Sequence, residues 1–319
     1  MPNILFTGAG FSHNWGGWLA SEAFEYLLGT DDIHPRIRTL LWNHKEKKTG
    51  FEGVYTELKG SATNPTDQEV FMRFNIMVAG MFHTMQIGFA SAQIDANVLK
   101  FLAQFDAIFT LNQDTLLELK YLALGQNKIR ELSDGVFLGA QTPGLRKAQD
   151  VEYMPPSFYT PDEAPFKVKE RFQPYFKLHG SSNWAASSDG KLMLILGGNK
   201  EVEIPKHPLL AWYHSEFERR AAGCQLVIIG YSFSDEYINR LLSAAVRKGT
   251  RFFIIDPQGV DVIDKRQSAQ ILQPRTAFME SIMGSIDGAS RRSLLSTLST
   301  DRVERTKLHH FLTAAERKR

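Results

Sequence analysis

The chain has 319 residues, 43% apolar and 23% charged, and its 37 basic and 35 acidic side chains leave a net charge of +2. These proportions suit one large globular domain or two modest ones, and the near balance of charge gives no overall pull toward nucleic acid or a membrane surface. A single cysteine, Cys224, excludes an intrachain disulfide and a cysteine-based zinc ribbon, and the chain lacks the run of about 18 apolar residues that a membrane span needs.

The first element is predicted at once. NILFT (3–7) reads as a strand buried on both faces, followed by GAGFS (8–12). Gly8 and Gly10 let the backbone turn tightly and approach another group closely. The amides that follow open a helix, whose N-terminus favours a phosphate. Strand, Gly-rich turn and helix suggest a nucleotide site. A tight turn without a ligand is the plainer reading. His13 stands where a dehydrogenase fingerprint has its third glycine, and SEAFEYLLG (21–29) reads as helix rather than a second strand. Trp15 and Trp18, beside the turn, read as packing residues, though either could wall a ligand pocket.

Residues 15–95 carry helical patterns near 18–28, 35–48 and 68–92, with a polar turn at 59–69. They read as a helical insertion after the first strand–helix unit. Further strands are expected at DAIFTL (106–111), PYFKL (174–178), KLMLIL (191–196), QLVIIG (225–230) and RFFIID (251–256). Continuous apolar runs suit a parallel sheet covered on both faces. Helices are expected at 96–105 and 234–249, the second with Ser234 as N-cap. The Pro-rich, polar stretch 140–173 reads as a long surface loop, and 260–319 carries mainly helical patterns. The predicted fold is α/β, a Rossmann-like, doubly wound, mostly parallel sheet with a helical insertion and a helical C-terminal tail. The expected division is a nucleotide-binding domain over 1–259 and a helical extension over 260–319. With the first strand starting at residue 3, no secretory leader is expected, and the expected location is cytoplasmic.

Three more polar motifs follow predicted strands: TLNQD (110–114), KLHGSSNW (177–184) and GYSFSD (230–235). Ligands of open α/β sheets bind at the carboxyl ends of strands, so four such ends predict one shared site. An asparagine amide both donates and accepts hydrogen bonds, which makes Asn112 a candidate for holding a ribose hydroxyl or a water. His179 is the candidate general base, a role typically worth about 10²–10⁴-fold in rate. Each has a structural alternative. Asn112 and Asp114 could cap a helix starting near Thr115, His179 could be a strand-end histidine bonded to a carbonyl, and Asp256 could simply end a strand. His309 and His310 are adjacent and diverge on a helix, while His207 and His214 lack a ligand pattern. No metal is expected. The tail ERKR (316–319) reads as a solvated helix end rather than a nucleic-acid arm.

Taken in order, Gly8-Ala9-Gly10-Phe11-Ser12, Thr110-Leu111-Asn112-Gln113-Asp114, Lys177-Leu178-His179-Gly180-Ser181 with Trp184, and Gly230-Tyr231-Ser232 with Asp235 resemble the motifs of sirtuin-like NAD-binding proteins. The nearest resemblance is to the sirtuin-like NAD hydrolase domains of bacterial anti-phage defence systems, over roughly residues 4–256. It implies an NAD glycohydrolase that cleaves the nicotinamide–ribose bond to nicotinamide and ADP-ribose, depleting cellular NAD in abortive infection. It assigns catalysis to Asn112 and His179. NAD contacts fall to Gly8, Ala9, Gly10, Ser12, Asp114, Gly180, Ser181, Gly230, Ser232 and Asp256. NAD is then a substrate, and no metal takes part. Two departures count against protein deacylation: the four zinc cysteines of sirtuin deacetylases are absent, and GGWLA (16–20) stands in place of their G-I-P-D-F-R-like segment. The resemblance also implies a homo-oligomer or a partner such as a HerA-like ATPase or a short Argonaute, with 15–95 and 260–319 as candidate contact surfaces. Neither direct nucleic-acid binding nor a membrane is expected. A non-catalytic NAD or ADP-ribose sensor is the alternative, and a protein deacylase or ADP-ribosyltransferase the third reading.

Overall fold

The computed structural model describes residues 1–122, 139–147, 159–186, 192–197, 199–264 and 276–314. Among them eleven strands occur in chain order: β1 (Asn3–Thr7), β2 (Ala107–Thr110), β3 (Ala140–Gln141), β4 (Leu145–Lys147), β5 (Tyr159–Pro161), β6 (Gln173–Lys177), β7 (Gly180–Ala185), β8 (Leu192–Leu194), β9 (Gln225–Ile229), β10 (Arg251–Ile255) and β11 (Ile286–Ser290). Seven form one sheet in the order β11-β10-β9-β1-β2-β6-β3, and each neighbouring pair is parallel. The central strands are buried along their length, as their continuous apolar runs require.

Side chains alternate across these strands. Leu5, Val227 and Ile229 join one core, while Ile4, Phe6, Leu226 and Ile228 join the other. The first core lies under the helices Ala20–Leu28, Pro35–Glu46, Gly50–Ser61 and Pro65–Ser91. The second lies under Pro208–Ala221 and Glu236–Val246. This is the doubly wound α/β arrangement, with the insertion supplying much of one face. From β1 the chain builds toward β2 and β6 on one side and, later, toward β9, β10 and β11 on the other. A crevice at such a reversal is where open α/β sheets take ligands.

Several elements differ from expectation. The insertion has a further helix, Gly50–Ser61, with Val54 and Leu58 buried four residues apart. Its two internal glycines, Gly53 and Gly60, mask the helical signal in the sequence. KLMLIL does not join the main sheet. Lys191 lies outside the described residues, and β8 pairs antiparallel with β7 in a four-stranded sheet ordered β4-β5-β7-β8. The stretch expected as a loop contributes β3, β4 and β5, while 148–158 lies outside the described residues. The tail adds β11 to the sheet edge ahead of helices Leu294–Leu298 and Arg302–Thr313, and the ERKR end lies outside the described residues. The sequence of β11, IDGAS, gives little apolar signal, and its Gly288 leaves room for the Phe253 ring, 2.7 Å from where a Cβ would stand.

Candidate active site

The four motifs follow β1, β2, β6 and β9, which are consecutive in the sheet as β9-β1-β2-β6. Because these strands are parallel, all four loops emerge at one edge. Thr7 pairs with Thr110, and Thr110 with Lys177. Asn112 and His179 therefore each lie two residues beyond a paired position on neighbouring strands.

The GAG turn is shaped first by its neighbour. Gly8 N donates to Ile229 O and Gly10 N to Gly230 O, both at 3.0 Å. A Cβ on Gly8 would stand 2.6 Å from Gly230 O, and one on Gly230 would stand 2.4 Å from Gly10 C. Gly230 also has φ +61°, a left-handed conformation that favours glycine. The glycines thus allow two loops to touch across the reversal between β1 and β9. The Gly8 and Gly10 amides, which the sequence offers to a pyrophosphate, are engaged within the protein in this state. Ala9 and Ser12 lie in the short helix Ala9–His13 that opens from the turn.

Ser12 and Asn112 meet. Asn112 Nδ2 donates to Ser12 Oγ at 2.9 Å, and both residues are buried. Asn112 N donates to Thr110 Oγ1, which itself receives the Thr7 hydroxyl. Asn112 is therefore held by the ends of β1 and β2, and its side-chain amide is given to Ser12 rather than to a helix N-terminus. Asp114 does act locally, since its Oδ1 accepts from Leu116 N at 3.0 Å.

His179 is 4% exposed, and its imidazole faces the Asp235 carboxylate. Its Nε2 lies 3.4 Å from Asp235 Oδ2, too long or misaligned for a well-formed hydrogen bond, and meets no other partner among the described residues. Asp235 caps helix Glu236–Val246, the place the sequence gives to Ser234, by accepting from Ile238 N. The same carboxylate receives Lys200 Nζ at 2.6 Å. Burial lowers the proton affinity of His179, Lys200 lowers it further, and Asp235 and Glu52 oppose them. Burial disfavours the charge on Asp235, yet His179 and Lys200 beside it hold the carboxyl far below the usual carboxylate range. The histidine bonded to a carbonyl is instead His214, whose Nε2 donates to Leu178 O at 2.9 Å. Asp235 was visible as the last letter of the GYS-x-x-D motif. Lys200 carries no sequence signal of its own, because it reaches the site only through the chain's course after β8.

The remaining candidates fall into two groups. Gly180 adopts φ +75°, and a Cβ there would overlap Met193 O. Ser181 is fully buried, receives Lys177 Nζ at 2.7 Å and donates to Asn183. Lys177 also binds Glu118 and the Asp114 carbonyl, so Ser181 is part of an internal hydrogen-bond network. Ser232 is exposed, 2.6 Å from the Ser234 hydroxyl. Asp256 ends β10 and accepts from Gln258 N at 2.8 Å, forming a turn at the sheet edge. Gly230 is at the shared site, whereas Asp256 follows the next strand out. Trp15 and Trp18 pack against the first core, against Phe11 and Tyr26 respectively. Among the described residues no group of three or more His, Cys, Asp or Glu is placed to hold a metal, and no helix is long and apolar enough to cross a membrane.

A family model described as a SIR2-like domain matches residues 106–276, just over half of the chain. The chain belongs to the SIR2-like family. The SIR2-like match opens immediately before β2 and includes Asn112, His179, Lys200, Gly230 and Asp235, while the GAG turn and the helical insertion precede it. Similar solved structures include a mutant Sir2 homologue in complex with ADP-ribose, at 14% identity over 98% of this chain and 93% of that chain, with a TM-score of 0.43. Another is a Sir2 homologue–NAD complex, at 16% identity over 98% of this chain and 90% of that one, with a TM-score of 0.40. Comparison with curated proteins returns no match.

Proposed function

We propose that this SIR2-like chain binds NAD at the edge formed by the four loops and hydrolyses it to nicotinamide and ADP-ribose. The observation that carries the proposal is the convergence of the GAG, TLNQD, KLHG and GYS loops on four consecutive parallel strands. In the reaction, the bond from ribose C1′ to the pyridinium nitrogen breaks and its electron pair goes to nicotinamide. The leaving group is already cationic, so no general acid is needed. Water adds to the resulting oxocarbenium carbon and loses one proton. Asn112 would exchange its bond to Ser12 for one to the ribose or that water. His179, kept neutral by burial, would accept the proton directly or through a ribose hydroxyl. Depletion of NAD under a trigger, with a homo-oligomer or a separate defence protein as the sensing part, is the cellular role we attach to this activity.

The test is chromatography of NAD incubated with the purified chain, at low and high protein concentration, beside Asn112→Ala and His179→Ala. Nicotinamide and ADP-ribose are expected from the wild type, with at least about a hundredfold loss in His179→Ala. Equal turnover by that variant would remove His179 as the base. Calorimetric binding of NAD without turnover, in lysate from phage-infected cells as well as in buffer, would favour a sensor.

A further inference from the structure

His179 shares its carboxylate with a lysine. Asp235 Oδ2 receives Lys200 Nζ at 2.6 Å and lies 3.4 Å from His179 Nε2. The Lys200 and Asp235 side chains are each 10% exposed, so little water screens them. The other ionisable groups facing this trio can be named. Glu52, on helix Gly50–Ser61, lies 3.9 Å from Lys200 Nζ. His214, on helix Pro208–Ala221, feels the charges of Asp235 and Lys200, but its Nε2 is committed to the Leu178 carbonyl.

The geometry sets up a competition. A carboxylate facing an imidazole stabilises its charged form, and a cation beside that carboxylate weakens the effect. Here the lysine makes the short contact and the histidine the long one. We propose, on the reading of His179 as the base of this site, that Lys200 is a positioning residue that acts through Asp235 to set the proton affinity of His179. With Lys200 in place, the imidazole stays neutral and able to accept a proton at lower pH. Without it, Asp235 turns to Nε2 and the imidazole holds a proton to higher pH. Lys200 contacts Asp235 and Glu52, and it acts on the base through the first of them. Through Glu52 it also ties the helical insertion to the base.

The test follows the His179 imidazole resonance by NMR against pH in the full chain, assigned with His179→Ala. Lys200→Met is expected to raise the His179 midpoint by roughly one pH unit or more, and Asp235→Asn to lower it. Lys200→Arg should return the midpoint close to that of the wild type, because it restores the charge. Lys200→Gln keeps a donor to Asp235 and removes only the charge, so it gives the same upward shift if the methionine variant does not fold. An unchanged midpoint in a folded Lys200→Met or Lys200→Gln protein would overturn the proposal. The readout needs no turnover of NAD. Expected shifts together with full NAD turnover by His179→Ala would leave the role of Lys200 intact and sink the base assignment instead.

Discussion

Two buried histidines stand near one another with different work to do. His179 faces charge, whereas His214 is fastened to a backbone carbonyl and packs against the Tyr237 ring at 5.2 Å. Burial lowers the His214 pKa from 6.5 to about 4. The unfolded chain therefore binds a proton at this position near pH 6.5 and the folded chain only near pH 4, so stability falls as the pH is lowered through that window. The wild type should lose roughly 3 kcal/mol from this residue between pH 7 and 4. His214→Gln keeps a donor for Leu178 O but cannot titrate. Urea unfolding across that range should show a visibly flatter pH dependence for the variant, and parallel curves would refute the assignment.

At the scale of elements, the loop after β2 is tied to β6 by a buried cation. Lys177 is fully buried and binds Glu118, the Asp114 carbonyl and Ser181. Burial pushes the Glu118 carboxyl up, and Lys177 pulls it back. Glu118 opens a short π-helix, Glu118–Leu122, just beyond the loop that carries Asn112 and the helical residues Leu116 and Leu117. Breaking a buried pair strands the remaining charge, at a cost of about 3–5 kcal/mol. Lys177→Met alone is expected to destabilise by that amount in urea unfolding. The double variant Lys177→Met with Glu118→Leu should recover much of the loss, since no charge is left stranded. If the double variant is no better than the single one, the pair is not the reason Lys177 is buried.

For the whole molecule, the tail is part of the body of the fold. Leu308, Phe311 and Leu312 belong to the core shared with the helical insertion. Phe311 lies 5.6 Å from Phe253 of β10, and its carbonyl receives the Gln225 side chain at the start of β9. Asn3 Nδ2 reaches Leu312 O in the same way. Phe311→Ala should therefore cost about 3–5 kcal/mol, as a large buried aromatic does when truncated. Calorimetry would then show the entire chain melting earlier as one transition. A separate early transition for the tail, with the main melt unmoved, would make it an independent unit and support a division at residue 259.

The amino-acid sequence by itself determined the parallel sheet, because strands covered on both faces must be continuously apolar, as QLVII and RFFII are. It also marked Asn112 and His179, because polar residues directly after such strands can only stand at the sheet's edge. Even the glycines were legible, though their partner was not. Gly8 and Gly10 are required by Gly230, more than two hundred residues later in the chain, and no local pattern announces a contact between backbones. Only the tertiary structure decided that Lys200 would share Asp235 with His179, that the carbonyl-bound histidine would be His214, and that IDGAS would extend the sheet. These outcomes depend on which strand lies beside which, and pairings of distant segments carry no periodicity along the chain.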